Sequence, residues 1–222
     1  MKEAIIFDFD GVLAKSNDIR EKTYFDIFNH IKNSGELVKE ALTEDQKRNR
    51  YGILQAALQK LKDKNLMQFQ DIGEETEKYV NKYNEITEQE VSVVEEVPGA
   101  NNALKVLSKK YDLFIVTGTM QKSIDVVLKN RKLEHYFKKV YGGFRDKIGG
   151  MKLLLLEQGI EPKKSIFVGD GKSDYECAKK FGIMFIGVLN DTNNFGEMDD
   201  VKYALYDLKR LPGIVEKIKK DF

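Results

Sequence analysis

The chain has 222 residues, of which 41% are hydrophobic and 33% are charged, so it can bury a core and still present a polar surface. Its 37 basic and 36 acidic residues nearly cancel, which argues against a protein held to nucleic acid or membranes mainly by a global positive field. The single cysteine, Cys177, excludes an internal disulfide and a cysteine-cluster metal site. We expect a cytoplasmic globular protein, because neither a signal-peptide pattern nor an apolar stretch of roughly 18 residues is present.

The first predicted element is a short strand over Ala4–Phe7, a continuous apolar run typical of strands that are covered on both faces. The sequence Asp8-Phe9-Asp10-Gly11 follows at once. Two carboxylates in so short a turn repel each other and lose hydration, which is unfavourable unless a cation lies between them. Taken alone, they are either solvated groups of a loop or ligands of a shared cation.

The next segment, from about Lys15 to Val94, is predicted to be entirely helical. Residues Asn17 to Lys32 carry an apolar stripe at helical spacing. The spacing of Thr43-Glu44-Asp45-Gln46 is that of a capping box and predicts the start of a second helix. A third helix is predicted from about Ile72 to Ile86. This segment therefore indicates a helical insertion after the first strand.

From about Pro98 onward, predicted strands and helices alternate. The strands end in small or polar residues, and a Leu-rich helix ends at Gly159, a typical C-cap. Such alternation predicts right-handed βαβ units and a parallel sheet, whose ligands bind at the carboxyl ends of the strands. The predicted strands are Leu113–Val116, Ser165–Val168 and Met184–Gly187, and the predicted helices cover 100–110, 123–131 and 151–158.

Polar residues follow these later strands at the same predicted edge of the sheet. Thr117-Gly118-Thr119 offers a hydroxyl and backbone N–H groups that could hold phosphate oxygens. Gly169–Asp174 adds two carboxylates. Alone, each of these is an ordinary turn or helix cap, and Lys147 would be a solvated surface lysine. Their joint occurrence favours a site in which carboxylates surround a cation.

In this order the motifs resemble those of the haloacid dehalogenase-like superfamily of phosphohydrolases. The strand ending in Asp8-Phe9-Asp10-Gly11-Val12 is similar to its first motif, and the strand ending at Thr117 is similar to its second. Lys147 lies 23 positions before Asp170, an interval similar to that of the third motif, and Lys152 is the weaker candidate. Gly169–Asp174 resembles the fourth motif, GDxxxD.

The resemblance implies a fold as well as an order of motifs. It implies an α/β core with a doubly wound, Rossmann-like parallel sheet from residues 1–14 and 95–222. Residues 15–94 would form a small helical cap of the C1 type, as in the phosphoglycolate phosphatase and β-phosphoglucomutase branch. Lys15-Ser16 stands where the family often has Asp-Ser, a departure at the expected hinge of the cap.

The resemblance also implies the catalytic roles. Asp8 would be the nucleophile that forms an aspartyl-phosphate, and Asp10 the general acid that later becomes the base. Thr117 and Lys147 would hold the phosphate oxygens. Among the glycines, the backbones of Gly11 and Gly118 would allow close approach to the phosphoryl group.

The implied cofactor is Mg²⁺, bound by Asp8, the backbone carbonyl of Asp10 and Asp170, with Asp174 assigned to the same metal site mainly as a support. Substrate choice would fall to the cap, where Arg50 could bind a carboxylate or a second phosphate. The alternative, which charge runs of this kind favour, is that Arg50 and the neighbouring Arg48 and Tyr51 form a solvated basic turn with a packed tyrosine.

We therefore expect a Mg²⁺-dependent phosphatase that acts on a small phosphorylated metabolite, such as a sugar phosphate or a phosphoglycolate-like compound. Asp10 favours phosphoryl transfer over dehalogenation, because a halide leaving group needs no proton. A β-phosphoglucomutase-like phosphomutase and a non-catalytic module that binds a phosphorylated ligand remain alternatives. We expect a monomer or homodimer, with neither nucleic acid nor membrane as a partner.

Overall fold

The computed structural model describes residues 3–44, 50–144, 146–190 and 201–220. The chain divides into two compact units. One is an α/β unit of Met1–Ser16 and Ser92–Phe222, and the other is a helical unit of Asn17–Val91.

The α/β unit contains a parallel sheet, as predicted. Over the described residues the strand order is β3-β2-β1-β4-β5-β6, and every neighbouring pair is parallel. In the middle of this sheet, Ile5 pairs with Leu113 on one side and with Ile166 on the other. The strands are β1 (Ala4–Phe7), β2 (Asp112–Val116), β3 (Lys139–Tyr141), β4 (Ile166–Gly169), β5 (Met184–Val188) and β6 (Ala204–Leu205).

After the helical segment, helices and strands alternate over the described residues, as predicted. They are α1 (Asn17–Asp26), α2 (Ser34–Thr43), α3 (Arg50–Asp63), α4 (Ile72–Val93), α5 (Ala100–Leu107), α6 (Gln121–Asn130), α7 (Lys147–Gln158), α8 (Lys172–Phe181) and α9 (Leu211–Lys220). Helix α7 ends at Gly159, whose φ of 61° lies in the left-handed region, so the predicted C-cap is confirmed. None of these helices is long and apolar enough to cross a membrane.

Burial of the central strands explains why they lack polar alternation. Ile6 of β1, Phe114 of β2 and Phe167 of β4 belong to one buried cluster with Met151 of α7 and Cys177 of α8. Because helices pack against the sheet, side chains on both faces of a central strand avoid water. Cys177 is fully buried, as expected for a small core residue.

The helical unit has its own aromatic core. The rings of Phe28 and Tyr79 stack with their centroids 4.6 Å apart, and Leu54 and Leu58 of α3 belong to the same buried cluster. Phe28 belongs to the apolar stripe of Asn17 to Lys32, but α1 ends at Asp26, before this residue.

The prediction that Thr43 opens a helix is wrong. Thr43 is the last residue of α2, a helix that the sequence pattern did not predict, and its hydroxyl donates to the carbonyl oxygen of Lys39 at 3.0 Å. A threonine can bond to the preceding helical turn as readily as it can cap the next one, so the spacing alone does not distinguish the two. Asp45, Gln46 and the candidate residue Arg48 lie outside the described residues.

Candidate active site

Asp8 and Asp10 are held where β1 ends. The backbone N–H of Asp8 donates to the carbonyl oxygen of Val168 at 2.9 Å, so the strand remains paired up to this residue. Gly11 then turns the chain with a φ of 72°, which favours glycine, and its N–H donates to the carbonyl oxygen of Ala14 at 2.9 Å. The turn places two acidic side chains at the carboxyl end of the central strand.

Lys147 joins two of the predicted acidic residues. It is the first residue of α7, and its Nζ atom donates to Asp8 Oδ2 at 2.5 Å and also to Asp174 Oδ1. Only 14% of the Lys147 side chain is exposed, against 7% for Asp8 and 0% for Asp174. The lysine of the third predicted motif is therefore a buried cation, whereas Lys152 is exposed.

Gly169 is required for Asp174 to lie beside the sheet. A Cβ atom on Gly169, the last residue of β4, would lie 2.4 Å from Asp174 Cβ, far closer than two non-bonded carbon atoms can approach. Asp174 Oδ2 accepts from the N–H of Gly171 at 2.9 Å. The glycines of the Gly169–Asp174 motif thus allow an α8 carboxylate to reach the strand end.

Burial and crowding set the proton affinities of this cluster. Burial, together with the neighbouring carboxylates of Asp174, Asp170 and Asp10, outweighs the lowering effect of Lys147 and raises the pKa of Asp8 to about 8. Burial lowers the pKa of Lys147, but Asp174 and Asp8 outweigh it and hold that pKa above its usual value. The lysine stays charged, yet one ammonium does not offset all of the surrounding carboxylates.

The acidic residues fit a divalent metal ion. One carboxylate oxygen from each of Asp8, Asp170 and Asp174 lies within 4.8 Å of the others. Asp8 Oδ1 is buried and has no hydrogen-bond partner among the described residues, which is unfavourable for a carboxylate unless a cation binds it. The donors are oxygen atoms, which hard cations such as Mg²⁺ prefer.

Asn190 adds an amide to this cluster. Its Nδ2 atom donates to Asp170 Oδ2 at 2.9 Å, which orients that carboxylate. Asn190 was missed as a site residue, although it follows β5 at the same edge of the sheet and could have been found from that position.

The Thr117-Gly118-Thr119 segment follows β2 with room for a ligand. The N–H of Thr117 donates to the carbonyl oxygen of Tyr141 at 3.0 Å, and its hydroxyl accepts from the N–H of Thr119 at 3.2 Å. A Cβ atom on Gly118 would meet no other described atom within 4 Å. Backbone atoms beside open space are suited to hold a phosphate oxygen.

Asp10 has different neighbours from Asp8. Its Oδ1 atom accepts from the Ser16 hydroxyl at 2.5 Å, and its Oδ2 atom accepts from the Thr119 hydroxyl at 2.9 Å. The group of potential metal ligands does not include the Asp10 carboxylate. Ser16 and Thr119 were not assigned roles from the sequence, because the spacing gave no sign that they contact Asp10.

Arg50 lies in the helical unit, and its role in substrate binding stays a prediction. Its Nη1 atom donates to Asn84 Oδ1 at 2.6 Å, and its guanidinium group lies 4.6 Å from the centre of the Tyr83 ring. Its buried Nε atom has no hydrogen-bond partner in the described part of the chain. The side chain thus contacts its own unit and is only partly exposed.

Comparisons with known proteins agree with this architecture. The family model described as haloacid dehalogenase-like hydrolase matches residues 5–188. A curated phosphoglycolate phosphatase from Pseudomonas putida is 28% identical over 128 residues, which are 54% of this chain and 47% of that protein. The chain thus spans about half the length of the curated relatives it matches.

Solved structures share the fold over nearly the whole chain. One from Haemophilus somnus, described as a predicted phosphoglycolate phosphatase, has 19% identity and a TM-score of 0.75, covering 96% of this chain and 97% of that chain. CbbY from Rhodobacter sphaeroides, solved in complex with phosphate, has 17% identity and a TM-score of 0.71, covering 95% and 96%.

Proposed function

The chain belongs to the haloacid dehalogenase-like hydrolase family, and we propose that it is a Mg²⁺-dependent phosphatase that works through an aspartyl-phosphate. The observation that carries the proposal is the convergence of Asp8, Asp170, Asp174 and Lys147 where β1, β4 and α7 meet, with one oxygen of Asp8 left without a partner in the described residues.

In the first step, a carboxylate oxygen of Asp8 attacks the phosphorus atom of the substrate. The bond between phosphorus and the leaving oxygen breaks, and Asp10 donates a proton to that oxygen. In the second step, water attacks the aspartyl-phosphate while Asp10 takes a proton from it. The bond between Asp8 and phosphorus breaks, and inorganic phosphate is released.

The other residues bind and orient the phosphoryl group. Lys147 offsets negative charge beside Asp8, while the Thr117 hydroxyl and the Gly118 backbone hold phosphate oxygens. Backbone freedom at Gly11 keeps the turn clear for the phosphoryl group. A bound Mg²⁺, held by Asp8, the Asp10 carbonyl and Asp170 with Asp174 in support, would supply charge neutralisation for the transferred group.

The proposed substrate is a small phosphorylated metabolite such as a sugar phosphate or a phosphoglycolate-like compound. The curated relatives are described as phosphoglycolate phosphatases, which supports this class, and so does the phosphate bound to CbbY. We also propose that residues 15–94 act as the cap domain and that Arg50 contributes to substrate binding.

Phosphate release from p-nitrophenyl phosphate tests the proposal. We expect activity with Mg²⁺, loss of activity with EDTA, and a decrease of at least about 10³-fold in kcat for Asp8→Asn, because the neutral amide cannot form the covalent intermediate. Lys152→Met, at an exposed position, serves as the matched control and should retain activity. Equal activity in Asp8→Asn and the unaltered chain would contradict the proposal.

A further inference from the structure

Two buried hydroxyl groups bracket the carboxyl group of Asp10. Ser16 is fully buried and Thr119 is 3% exposed, and their hydroxyls donate to different oxygens of Asp10, at 2.5 and 2.9 Å. Because both donors are buried, water cannot readily replace them. The orientation of Asp10 is thus set by protein groups at both of its oxygens.

The position of the Thr119 hydroxyl is itself fixed by the backbone. The N–H of Thr119 donates to the Thr117 hydroxyl at 3.2 Å, and its carbonyl oxygen accepts from the N–H of Gly143 at 2.8 Å. A Cβ atom on Gly142 would lie 2.6 Å from that same carbonyl oxygen, so the chain segments after β2 and β3 fit closely here. Thr119 therefore connects the proposed phosphate-binding segment to Asp10.

Hydroxyl groups suit a carboxyl group that must both release and accept a proton. A hydroxyl is a donor with two acceptor lone pairs, so it can bond to either the ionised or the protonated carboxyl group. An ammonium such as that of Lys147 only donates, and it favours the ionised form. Asp8, the proposed nucleophile, accepts from the ammonium of Lys147, whereas Asp10 accepts from hydroxyls.

We propose that Thr119, supported by Ser16, is a positioning residue that holds the Asp10 carboxyl group for proton transfer to the leaving oxygen. The inference rests on the proposed function, because it concerns the same reaction. When the bond between phosphorus and the leaving oxygen breaks, the Asp10 proton moves to that oxygen. The resulting carboxylate then accepts from both hydroxyls, which is the arrangement in the structure.

A series of aryl phosphates tests this role, because the leaving groups differ in basicity while the phosphoryl group stays the same. Loss of the Thr119 hydroxyl in Thr119→Val should lower kcat/KM for phenyl phosphate about 10- to 100-fold, a part of the roughly 10²- to 10⁴-fold that general-acid catalysis contributes. For p-nitrophenyl phosphate, whose phenolate leaves without a proton, we expect less than about a threefold decrease by the same reasoning. The ratio kcat/KM is used because it excludes the later hydrolysis of the aspartyl-phosphate.

Two controls separate positioning from packing. Thr119→Ser keeps the hydroxyl and should restore the leaving-group dependence of the unaltered chain. Thr87→Val removes a threonine hydroxyl of equal exposure in the helical unit, where it bonds to the Tyr83 carbonyl oxygen at 2.9 Å, and should leave that dependence unchanged. An equal decrease for both aryl phosphates in Thr119→Val would overturn the inference.

The inference can also be tested without turnover. In crystal structures, Asp10 should change its side-chain orientation when Thr119→Val is combined with Ser16→Ala, and an unmoved Asp10 would overturn the positioning role. Activity of the unaltered chain on p-nitrophenyl phosphate reports separately on the proposed function. A failure of the positioning role can therefore be distinguished from a failure of the proposed function.

Discussion

The surroundings of Asp8 and Asp10 differ although the two residues share one turn. The carboxylate of Asp8 is 7% exposed and lies in an ionic cluster with Lys147 and Asp174. Asp10 is partly buried and bonds to the neutral hydroxyls of Ser16 and Thr119. The neighbours of Asp8 thus balance charge, whereas the neighbours of Asp10 orient a group that transfers protons. Substitutions in the two sets should therefore differ in their effects on stability and catalysis.

The largest expected effect comes from removing the cation on the Asp8 side. Lys147→Met leaves buried carboxylates without their ammonium, and such a loss costs roughly 3–5 kcal/mol of unfolding free energy. Unlike Thr119→Val, it should lower kcat/KM for phenyl and p-nitrophenyl phosphate by the same factor, because Lys147 does not act on the leaving group. Urea denaturation without Mg²⁺ measures the stability.

The matched control for this variant lies on the same helix. Lys152→Met changes an exposed lysine of α7, and we expect its unfolding free energy to stay within about 0.5 kcal/mol of the unaltered chain. If Lys147→Met were as stable as this control, the ionic cluster would not contribute to the fold as described.

A smaller effect is expected at the amide that orients Asp170. Asn190→Ala should weaken Mg²⁺ binding about 10- to 100-fold, as is usual for partners of metal ligands, while kcat at saturating Mg²⁺ changes little. Activity measured over a range of Mg²⁺ concentrations gives the apparent affinity. Asn130→Ala, at an exposed asparagine of α6, is the control, and an unchanged affinity in Asn190→Ala would show that Asn190 does not support the metal site.

The smallest effect, taken over one pH unit, is a pH dependence of Mg²⁺ binding. Because the pKa of Asp8 is about 8 without metal and the metal binds the ionised form, binding should release a proton below that pH. The affinity should then rise by roughly tenfold per pH unit below about pH 8 and level off above it. Calorimetry in two buffers of different ionisation enthalpy measures the released proton, and an affinity independent of pH would contradict the shift.

The raised pKa of Asp8 also predicts how the stability of the metal-free chain changes with pH. Between its ordinary pKa of 3.8 and about 8, Asp8 holds a proton in the folded chain but not in the unfolded one. The contribution of Asp8 to stability is therefore present at low pH and is lost as the pH rises through this window, opposite to the usual behaviour of a salt-bridged aspartate. Thr119→Val should leave this dependence in place, because it alters only the Asp10 side.

The sequence predicted the central strands and the order of the motifs well, because each buried strand is a continuous apolar run followed by polar residues. It missed β3 and β6, which have three and two residues and are too short for a periodic pattern. The boundary at Thr43 was misjudged because the same hydroxyl can bond to the turn before it or after it.

For the candidate site, the sequence indicated the acidic residues and Lys147 but not their hydrogen-bond partners. Thr119 reaches Asp10 only after β1 and β2 pair, whereas Ser16 lies in the same segment as Asp10 and reaches it through the turn after β1. Such contacts depend on side-chain directions across the sheet, which one sequence does not reveal. Asn190 could have been predicted from the sequence. It follows β5 as Thr117 follows β2, and residues that follow parallel strands lie at the same edge of the sheet.

The central place of β1 also bears on how the protein is made. Ile5 leaves the ribosome long before Leu113 and Ile166, the residues between which it must insert. Closing such long segments of chain is entropically unfavourable, so formation of the sheet should be slow relative to formation of the helices. During translation the apolar run Ala4–Phe7 would remain exposed until its neighbours emerge, a period in which a molecular chaperone could protect it.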